Sequence, residues 1–126
     1  MPLVRISVRA GRPEQDRRAI GSAVHAALCD TAGVPPQDEF QIISEHDAAG
    51  LIYNADYLDI ARDDELVVIQ ITLNEGRSLE VKRALYARIA ELLAQSPRVR
   101  PENVLINLVE VPKENWSFGN GEAQYA

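Results

Sequence analysis

Two segments of the chain carry β-branched and aliphatic residues in the manner of β-strands, and each is followed by a helical pattern. The strand segments are residues 3–8 and residues 68–73. Beyond each of them, aliphatic residues recur at three- and four-residue spacing, which is the period of one helix face. They are Ala19, Ile20, Val24, Ala27 and Leu28 in the first stretch and Ala84, Leu85, Ile89, Leu92 and Leu93 in the second. The pattern predicts two successive units, each a strand followed by a helix.

The two patterns are copies of one unit. A shift of 65 positions places Gly11 and Arg12 on Gly76 and Arg77, at the turn where each strand meets its helix. Self-similarity at a fixed offset is typical of repeated structural units. The chain is therefore predicted to contain a tandem repeat.

Each helical pattern has signals for its start and its end. Pro13 suits a first-turn position and Ser78 an N-cap, whereas the patterns end near the helix breakers Gly33 and Pro97. These signals predict where both helices begin and end.

A second aliphatic strand pattern follows each helix, near residues 40–43 and residues 104–109. The halves, residues 2–46 and residues 66–111, therefore each read β-α-β within a single domain of residues 1–126. Crossover connections between parallel strands are right-handed. We predict an α/β protein (α+β in some schemes) with a four-stranded sheet and both helices on one face. Because parallel sheets are normally covered on both faces, we expect a homo-oligomer.

Two segments lie outside the repeat. Residues 47–64 are polar and aromatic and form a linker that could hold a short helix or a turn. The tail after the second half contains Trp116 and Phe118, followed by Gly-rich turn chemistry. Aromatic anchors are typical of interfaces, so we predict a C-terminal hairpin that reaches onto a neighbouring subunit.

Composition narrows the classes of partner and the compartment. A length of 126 residues fits one domain, and the net charge of −6 gives no overall attraction for nucleic acid or anionic membranes. An anionic ligand would need a local cationic site. The single cysteine, Cys29, has no internal disulfide partner. No stretch approaches the roughly 20 apolar residues of a membrane span, and the N-terminus lacks a signal-peptide core. We expect a cytoplasmic protein.

Pro2 is the first candidate for chemistry, because strand residues follow it directly. Removal of Met1 would expose a secondary amine at the end of a strand, and free α-amino groups have a pKa of about 7.7–8.0, close to the ideal for acid/base catalysis. The alternative is that Pro2 merely follows the initiator. If Met1 is retained, Pro2 has only an amide nitrogen without a basic lone pair.

Three charged residues stand at turns. Arg77 lies where backbone donors and a guanidinium can converge on a carboxylate, and Arg12 holds the symmetric place. Asp38 precedes a strand. The alternatives are exposed arginines near helix starts and an aspartate that serves as a turn or cap residue.

The two histidines, His25 and His46, have no Cys or Glu partners at metal-ligand spacing, so no metal site is predicted. The chain contains no glycine-rich nucleotide-binding pattern and no nucleophile elbow. Nucleotide cofactors and serine-hydrolase chemistry therefore have no support.

Pro2, the duplicated β-α-β unit with its Gly-Arg turns, and the tail around Trp116 and Phe118 together resemble the tautomerase superfamily over nearly the whole chain. Within it, residues 33–35, Asp38, Arg77 and the tail look most like the malonate semialdehyde decarboxylase members. The resemblance implies a homotrimer and a cofactor-free site that acts on a small keto, enol or unsaturated carboxylic acid.

The resemblance also assigns roles. Pro2 is implied as the acid/base, Asp38 as its hydrogen-bonding or water-activating partner, and Arg77 as the carboxylate anchor. Trp116 and Phe118 are implied to contact substrate, and Arg12 resembles an arginine of 4-oxalocrotonate tautomerase. The decarboxylase has a second arginine where this chain has Glu75. That difference puts efficient decarboxylation in doubt.

Three functions remain open. A neutral Pro2 would act as the base of a keto-enol tautomerase, and Arg77 nearby would lower the pKa of its amine. An ionised Asp38 would raise that pKa, so that a protonated Pro2 supports decarboxylation or hydration. The third function is a trimeric binding protein with a vestigial site, which Glu75 favours.

Overall fold

The computed structural model describes residues 1–126. The elements are β1 (Leu3–Arg9), α1 (Glu14–Ala32), β2 (Gln41–His46), β3 (Val67–Asn74), α2 (Leu79–Gln95) and β4 (Val104–Val111). Three short 3-10 helices occupy Tyr57–Asp59, Pro101–Asn103 and Lys113–Asn115. The predicted β-α-β order is confirmed in both halves.

The four strands form one mixed sheet in the order β2-β1-β3-β4. β1 and β2 are parallel, as are β3 and β4, whereas the two halves join through the antiparallel pair β1 and β3. In that pair Leu3 lies opposite Thr72. The start of β1 therefore lies beside the end of β3.

The core lies between one face of the sheet and the two helices. Alternate residues of β1 and β3 point into it, because successive side chains on a strand face opposite ways. They are Val4, Ile6, Val8, Val67, Ile69, Ile71 and Leu73, and they pack with Ile20, Val24, Leu28, Leu85, Ile89 and Leu93 of the helices. The opposite face carries exposed side chains such as Ile42 and Leu105. Both helices thus cover one face, as predicted.

The helix ends follow the sequence signals. Gly33 ends α1 in the left-handed conformation at φ 71°, where glycine lacks the steric cost of a Cβ atom. The hydroxyl of Ser78 accepts a hydrogen bond from the backbone N–H of Val81 at 3.2 Å and caps α2. Neither helix has the combination of length and apolar character needed to cross a membrane.

The C-terminal tail differs from the expected hairpin, because no strand follows β4 within the chain. The side chain of Gln124 instead closes a turn, accepting from the Phe118 N–H and donating to the Gly119 carbonyl, each at 2.9 Å. The rings of Trp116 and Phe118 stack at 5.3 Å. Side-chain hydrogen bonds and ring stacking thus replace the ladder that a hairpin requires.

Candidate active site

Pro2 lies buried at the end of the sheet where β1 begins, which is called the Pro2 edge below. β1 is a central strand, so Pro2 has a neighbouring strand on each side. On one side the Val4 N–H donates to the Phe40 carbonyl at 3.0 Å, and on the other side β3 reaches its end. This edge gathers the start of β1, the approach to β2 and the turn after β3.

Asp38 is buried at this edge, with 9% of its surface exposed, and neither carboxylate oxygen accepts a hydrogen bond. Its charge partner is the amino group of Met1, whose nitrogen lies 3.1 Å from Oδ2, at ion-pair distance without the alignment of a hydrogen bond. Burying a carboxylate without hydrogen bonds opposes folding. The fold therefore holds an incompletely satisfied carboxylate against the chain's amino end.

Arg77 follows β3 in a turn opened by Gly76, whose φ of 117° favours glycine. Its Nε and Nη2 donate to the Ala32 carbonyl at the end of α1, at 3.2 and 3.0 Å, and its Nη1 donates to the Asn74 carbonyl at 3.1 Å. A guanidinium has five N–H donors. One N–H remains on each terminal nitrogen, and such a pair matches the two oxygens of a carboxylate.

Aromatic side chains form the wall of this edge. Trp116 and Phe118 stack with an interplanar angle of 10°, and the Phe118 ring lies 6.2 Å from that of Phe40. The Trp116 Nε1–H donates to Asn74 Oδ1 at 2.8 Å. Sequence reasoning did not select Phe40 or Asn74. The sequence marked them only by position: Phe40 lies two residues after Asp38, and Asn74 lies three residues before Arg77.

Arg12, the other candidate for substrate binding, lies at the opposite end of the sheet from Pro2 within one chain. Since β1 and β3 are antiparallel, the two Gly-Arg turns leave the sheet at opposite ends. The Arg12 Nη2 lies 3.0 Å from Glu65 Oε2, in a polar cavity of about 420 Å³ that His46 also lines. Within one chain, only Arg77 of the two turn arginines belongs to the Pro2 edge.

An equivalent ion pair lies beside the Gly-Arg turn in each half. Arg17 pairs with Glu45 at 2.8 Å, and Lys82 pairs with Glu110 at 2.5 Å, at equivalent positions of the repeat. The Lys82 hydrogen bond is the main cause that lowers the pKa of the Glu110 carboxyl, helped by the Gly76 N–H and the charge of Arg77. Glu110 therefore contacts the turn that carries Arg77.

His25 supports the loop that carries Asp38. Its Nε2 lies 2.8 Å from the Pro36 carbonyl, and its Nδ1 lies 3.7 Å from a Glu39 carboxylate oxygen. Cys29 Sγ lies 3.7 Å from the same Nε2, and burial, with smaller effects of Asp30 and Glu39, raises the pKa of the thiol. No cluster of three or more potential metal ligands occurs here or elsewhere in the chain.

Only one of the two equivalent edges carries this chemistry. In the repeat, Val67 stands where Pro2 stands, and Asn103 stands where Asp38 stands. Asn103 is buried and hydrogen-bonded through both ends of its amide, since its Nδ2 donates to Asp63 Oδ1 at 2.8 Å and its Oδ1 accepts from the Asp63 N–H at 3.0 Å. The Pro2 edge is therefore chemically distinct.

A duplicated β-α-β fold with a proline, a buried carboxylate and an arginine at one sheet edge defines a class of small α/β proteins. The chain belongs to the tautomerase family: two family profiles, each describing a tautomerase enzyme, match residues 38–119 and residues 2–59. The probable tautomerase YusQ of Bacillus subtilis (strain 168) is 39% identical over 124 residues, which cover 98% of each chain.

Solved structures agree with this assignment. The crystal structure of FG41 malonate semialdehyde decarboxylase inhibited by 3-bromopropiolate has a TM-score of 0.92 at 37% identity, covering 98% of this chain and 93% of that one. A fused 4-OT wild-type symmetric trimer shares the fold, with a TM-score of 0.79 at 22% identity and coverage of 98% and 97%.

Proposed function

We propose that the mature protein is a cofactor-independent keto-enol tautomerase that acts on a small 2-oxo or enol carboxylic acid. The amino-terminal proline, exposed by removal of Met1, is the acid/base. The observation that carries the proposal is the buried Asp38 carboxylate, which has no hydrogen bond and stands 3.1 Å from the present amino terminus. A carboxylate in that place orients a newly exposed amine.

In the proposed reaction, Arg77 holds the substrate carboxylate with its two remaining N–H groups. The neutral Pro2 amine removes a proton from the carbon next to the ketone, and the electron pair of the C–H bond moves to form an enolate. Pro2, now protonated, returns that proton to the enolate oxygen, which yields the enol, and the reverse sequence yields the ketone. Pro2 ends each cycle as a neutral amine, so proton and charge are conserved.

Decarboxylation or hydration is the second candidate, favoured by Asp38 itself. A carboxylate next to the amine favours the protonated form. A protonated Pro2 would polarise the ketone of a 3-oxo acid, so that the electron pair of the bond to the carboxylate forms an enolate as CO₂ leaves. The enolate carbon then takes up a proton to give the product. In hydration, Asp38 would take a proton from the attacking water, and Pro2 would protonate the neighbouring carbon. The likeness to malonate semialdehyde decarboxylase supports this candidate.

We further propose that the protein works as a cytoplasmic homotrimer. The sheet face opposite the helices exposes Ile42 at 43% and Leu105 at 40%, and burial of such a face favours association. The trimeric fused 4-OT structure provides the precedent for the fold. In such an assembly Arg12 of a neighbouring subunit is the proposed supplement to the substrate site.

The test begins with the intact mass of the purified protein, followed by ketonisation assays with phenylpyruvate and 2-hydroxymuconate. Wild type is compared with Pro2→Ala and with the matched control Pro101→Ala, an exposed proline of the 3-10 helix Pro101–Asn103. Loss of the Met1 mass together with activity that only Pro2→Ala abolishes supports the proposal. A retained Met1, or activity indifferent to Pro2, overturns it. The vestigial-site alternative predicts a processed terminus without activity.

A further inference from the structure

The side chain of Asn74 joins the C-terminal tail to the rest of the molecule. Its Oδ1 accepts from the Trp116 Nε1–H at 2.8 Å, and this is the one hydrogen bond between residues 112–126 and the body of the chain. Trp116 is also the only tryptophan. The attachment of the tail therefore depends on a single hydrogen bond, whose donor is the chain's one tryptophan.

The main chain of Asn74 holds the candidate carboxylate anchor. Its carbonyl accepts from Arg77 Nη1 at 3.1 Å, while the rest of the guanidinium is fastened to Ala32. One residue at the end of β3 thus fastens both the aromatic wall and the cation. The relative position of the indole and the guanidinium is set through this shared residue.

The tail reaches across the start of β1. Asn74 ends β3, Phe40 directly precedes β2, and the sheet order places β1 between those two strands. The tail contacts both flanks, because Trp116 is bonded to Asn74 and Phe118 packs against Phe40. Its aromatic pair therefore lies over the edge where Pro2 is found.

We infer that Asn74 is the positioning residue that makes the site select flat, conjugated carboxylic acids, and this inference rests on the proposed function. Because Asn74 bonds both the Arg77 guanidinium and the Trp116 indole, a ligand whose carboxylate is on Arg77 would lie beside the stacked rings. Planar π-systems stack on aromatic faces better than flexible saturated chains do. If the hydrogen bond from Trp116 to Asn74 is lost, the Arg77 guanidinium remains but the flat aromatic surface beside it does not.

The first experiment measures the position of Trp116 without reference to catalysis. Asn74→Leu removes the acceptor, Asn74→Asp keeps it, and Asn115→Leu makes the same change in an exposed residue of the tail whose side chain has no hydrogen bond. Circular dichroism verifies folding. We expect a red shift in emission and at least twofold faster acrylamide quenching in Asn74→Leu alone. Wild-type fluorescence in Asn74→Leu overturns the inference, whatever the enzyme does.

The second experiment measures selectivity with two non-reacting probes, trans-cinnamate and 3-phenylpropionate, which differ in one conjugated bond. Calorimetric titration of wild type is expected to favour cinnamate. Asn74→Leu and Trp116→Phe should each weaken cinnamate binding about tenfold, the cost expected for loss of one hydrogen bond at the site. The double variant should be no worse than either single variant, since both remove the same contact.

The kinetic readout separates this inference from the proposed function. In Asn74→Leu, KM for the enol of phenylpyruvate should rise while kcat changes by less than about threefold, because Pro2 and Asp38 are untouched. Asn115→Leu should match wild type. Equal affinity for the two probes in wild type, or additive losses in the double variant, overturns the role of Asn74. Activity that survives Pro2→Ala overturns the proposed function instead.

Discussion

Asp38 and the amino group of Met1 form an ion pair of 3.1 Å at a buried sheet edge, where no hydrogen bond reaches the carboxylate. The equivalent residue of the other half, Asn103, has its amide nitrogen and oxygen both bonded to Asp63. The repeat therefore places a hydrogen-bonded amide at one of two equivalent positions and a carboxylate without hydrogen bonds at the other. Unsatisfied buried charge is typical of sites kept for function.

Asp38→Asn should reduce kcat by about 10²-fold, at the low end of what one acid/base group contributes. The amide keeps the shape of the side chain but loses the charge that orients the amine. Removal of a buried charge without hydrogen bonds and loss of the ion pair act in opposite directions, so the free energy of unfolding should change by no more than about 1 kcal/mol. Steady-state kinetics and urea unfolding measure the two effects.

The reverse substitution, made at the equivalent position of the other half, is the control for that experiment. Asn103→Asp places a carboxylate beside Asp63 at a buried site and should destabilise the fold by about 1–3 kcal/mol. An Asp38→Asn variant that is less stable than wild type and fully active would contradict the functional role of Asp38.

Arg77→Lys should raise KM for carboxylate substrates at least tenfold, because an ammonium cannot present paired N–H groups to two oxygens. It should also lower the free energy of unfolding by about 1 kcal/mol, since contacts to the Ala32 carbonyl are lost. The comparison is Arg12→Lys, for which we expect a smaller increase in KM. No increase in KM for Arg12→Lys would contradict the proposed role of a neighbouring subunit's Arg12 at the site.

Glu110→Gln should weaken the turn that holds Arg77 in a pH-dependent way. The Lys82 hydrogen bond lowers the pKa of the Glu110 carboxyl, so its stabilisation is present above the ordinary carboxyl pKa of about 4.3 and disappears as pH falls through the lowered value. The stability difference from wild type should therefore be present at pH 7 and vanish in acid. Urea unfolding across pH checks this.

Glu45→Gln is the matched control, because Glu45 makes the equivalent ion pair with Arg17 at the other edge. Both variants should lose stability, whereas only Glu110→Gln should raise KM. Equal effects on KM would contradict a link between Glu110 and Arg77.

Cys29 should react slowly with iodoacetamide in the folded protein. Burial raises the pKa of its thiol, with Asp30 and Glu39 adding smaller repulsions, and only the thiolate is nucleophilic. The alkylation rate, followed by mass spectrometry, should rise with a midpoint above the ordinary thiol pKa of about 8.5. Glu39→Gln should move the midpoint downward. Alkylation at pH 7.5 as fast as in the urea-unfolded chain would contradict this expectation.

The helices and strands were predictable because their signals are local. The aliphatic period, the glycine at position 33 and the Ser78 cap act within a few residues of the structures they specify, and the 65-residue repeat made each half a check on the other. The tail was harder, since its Trp116 and Phe118 pattern did not reveal that Gln124 closes a turn in place of a hairpin.

By itself, the sequence determined the β-α-β units, their number and the residue types available for chemistry, because periodicity and turn chemistry act along the chain. Only the tertiary structure decided which of those residues meet. The antiparallel pairing of β1 with β3 sends Arg12 to one edge and Arg77 to the other, and it brings Asn74 and the tail to Pro2. Strand direction across the centre of a sheet is settled by long-range packing, which no local pattern encodes.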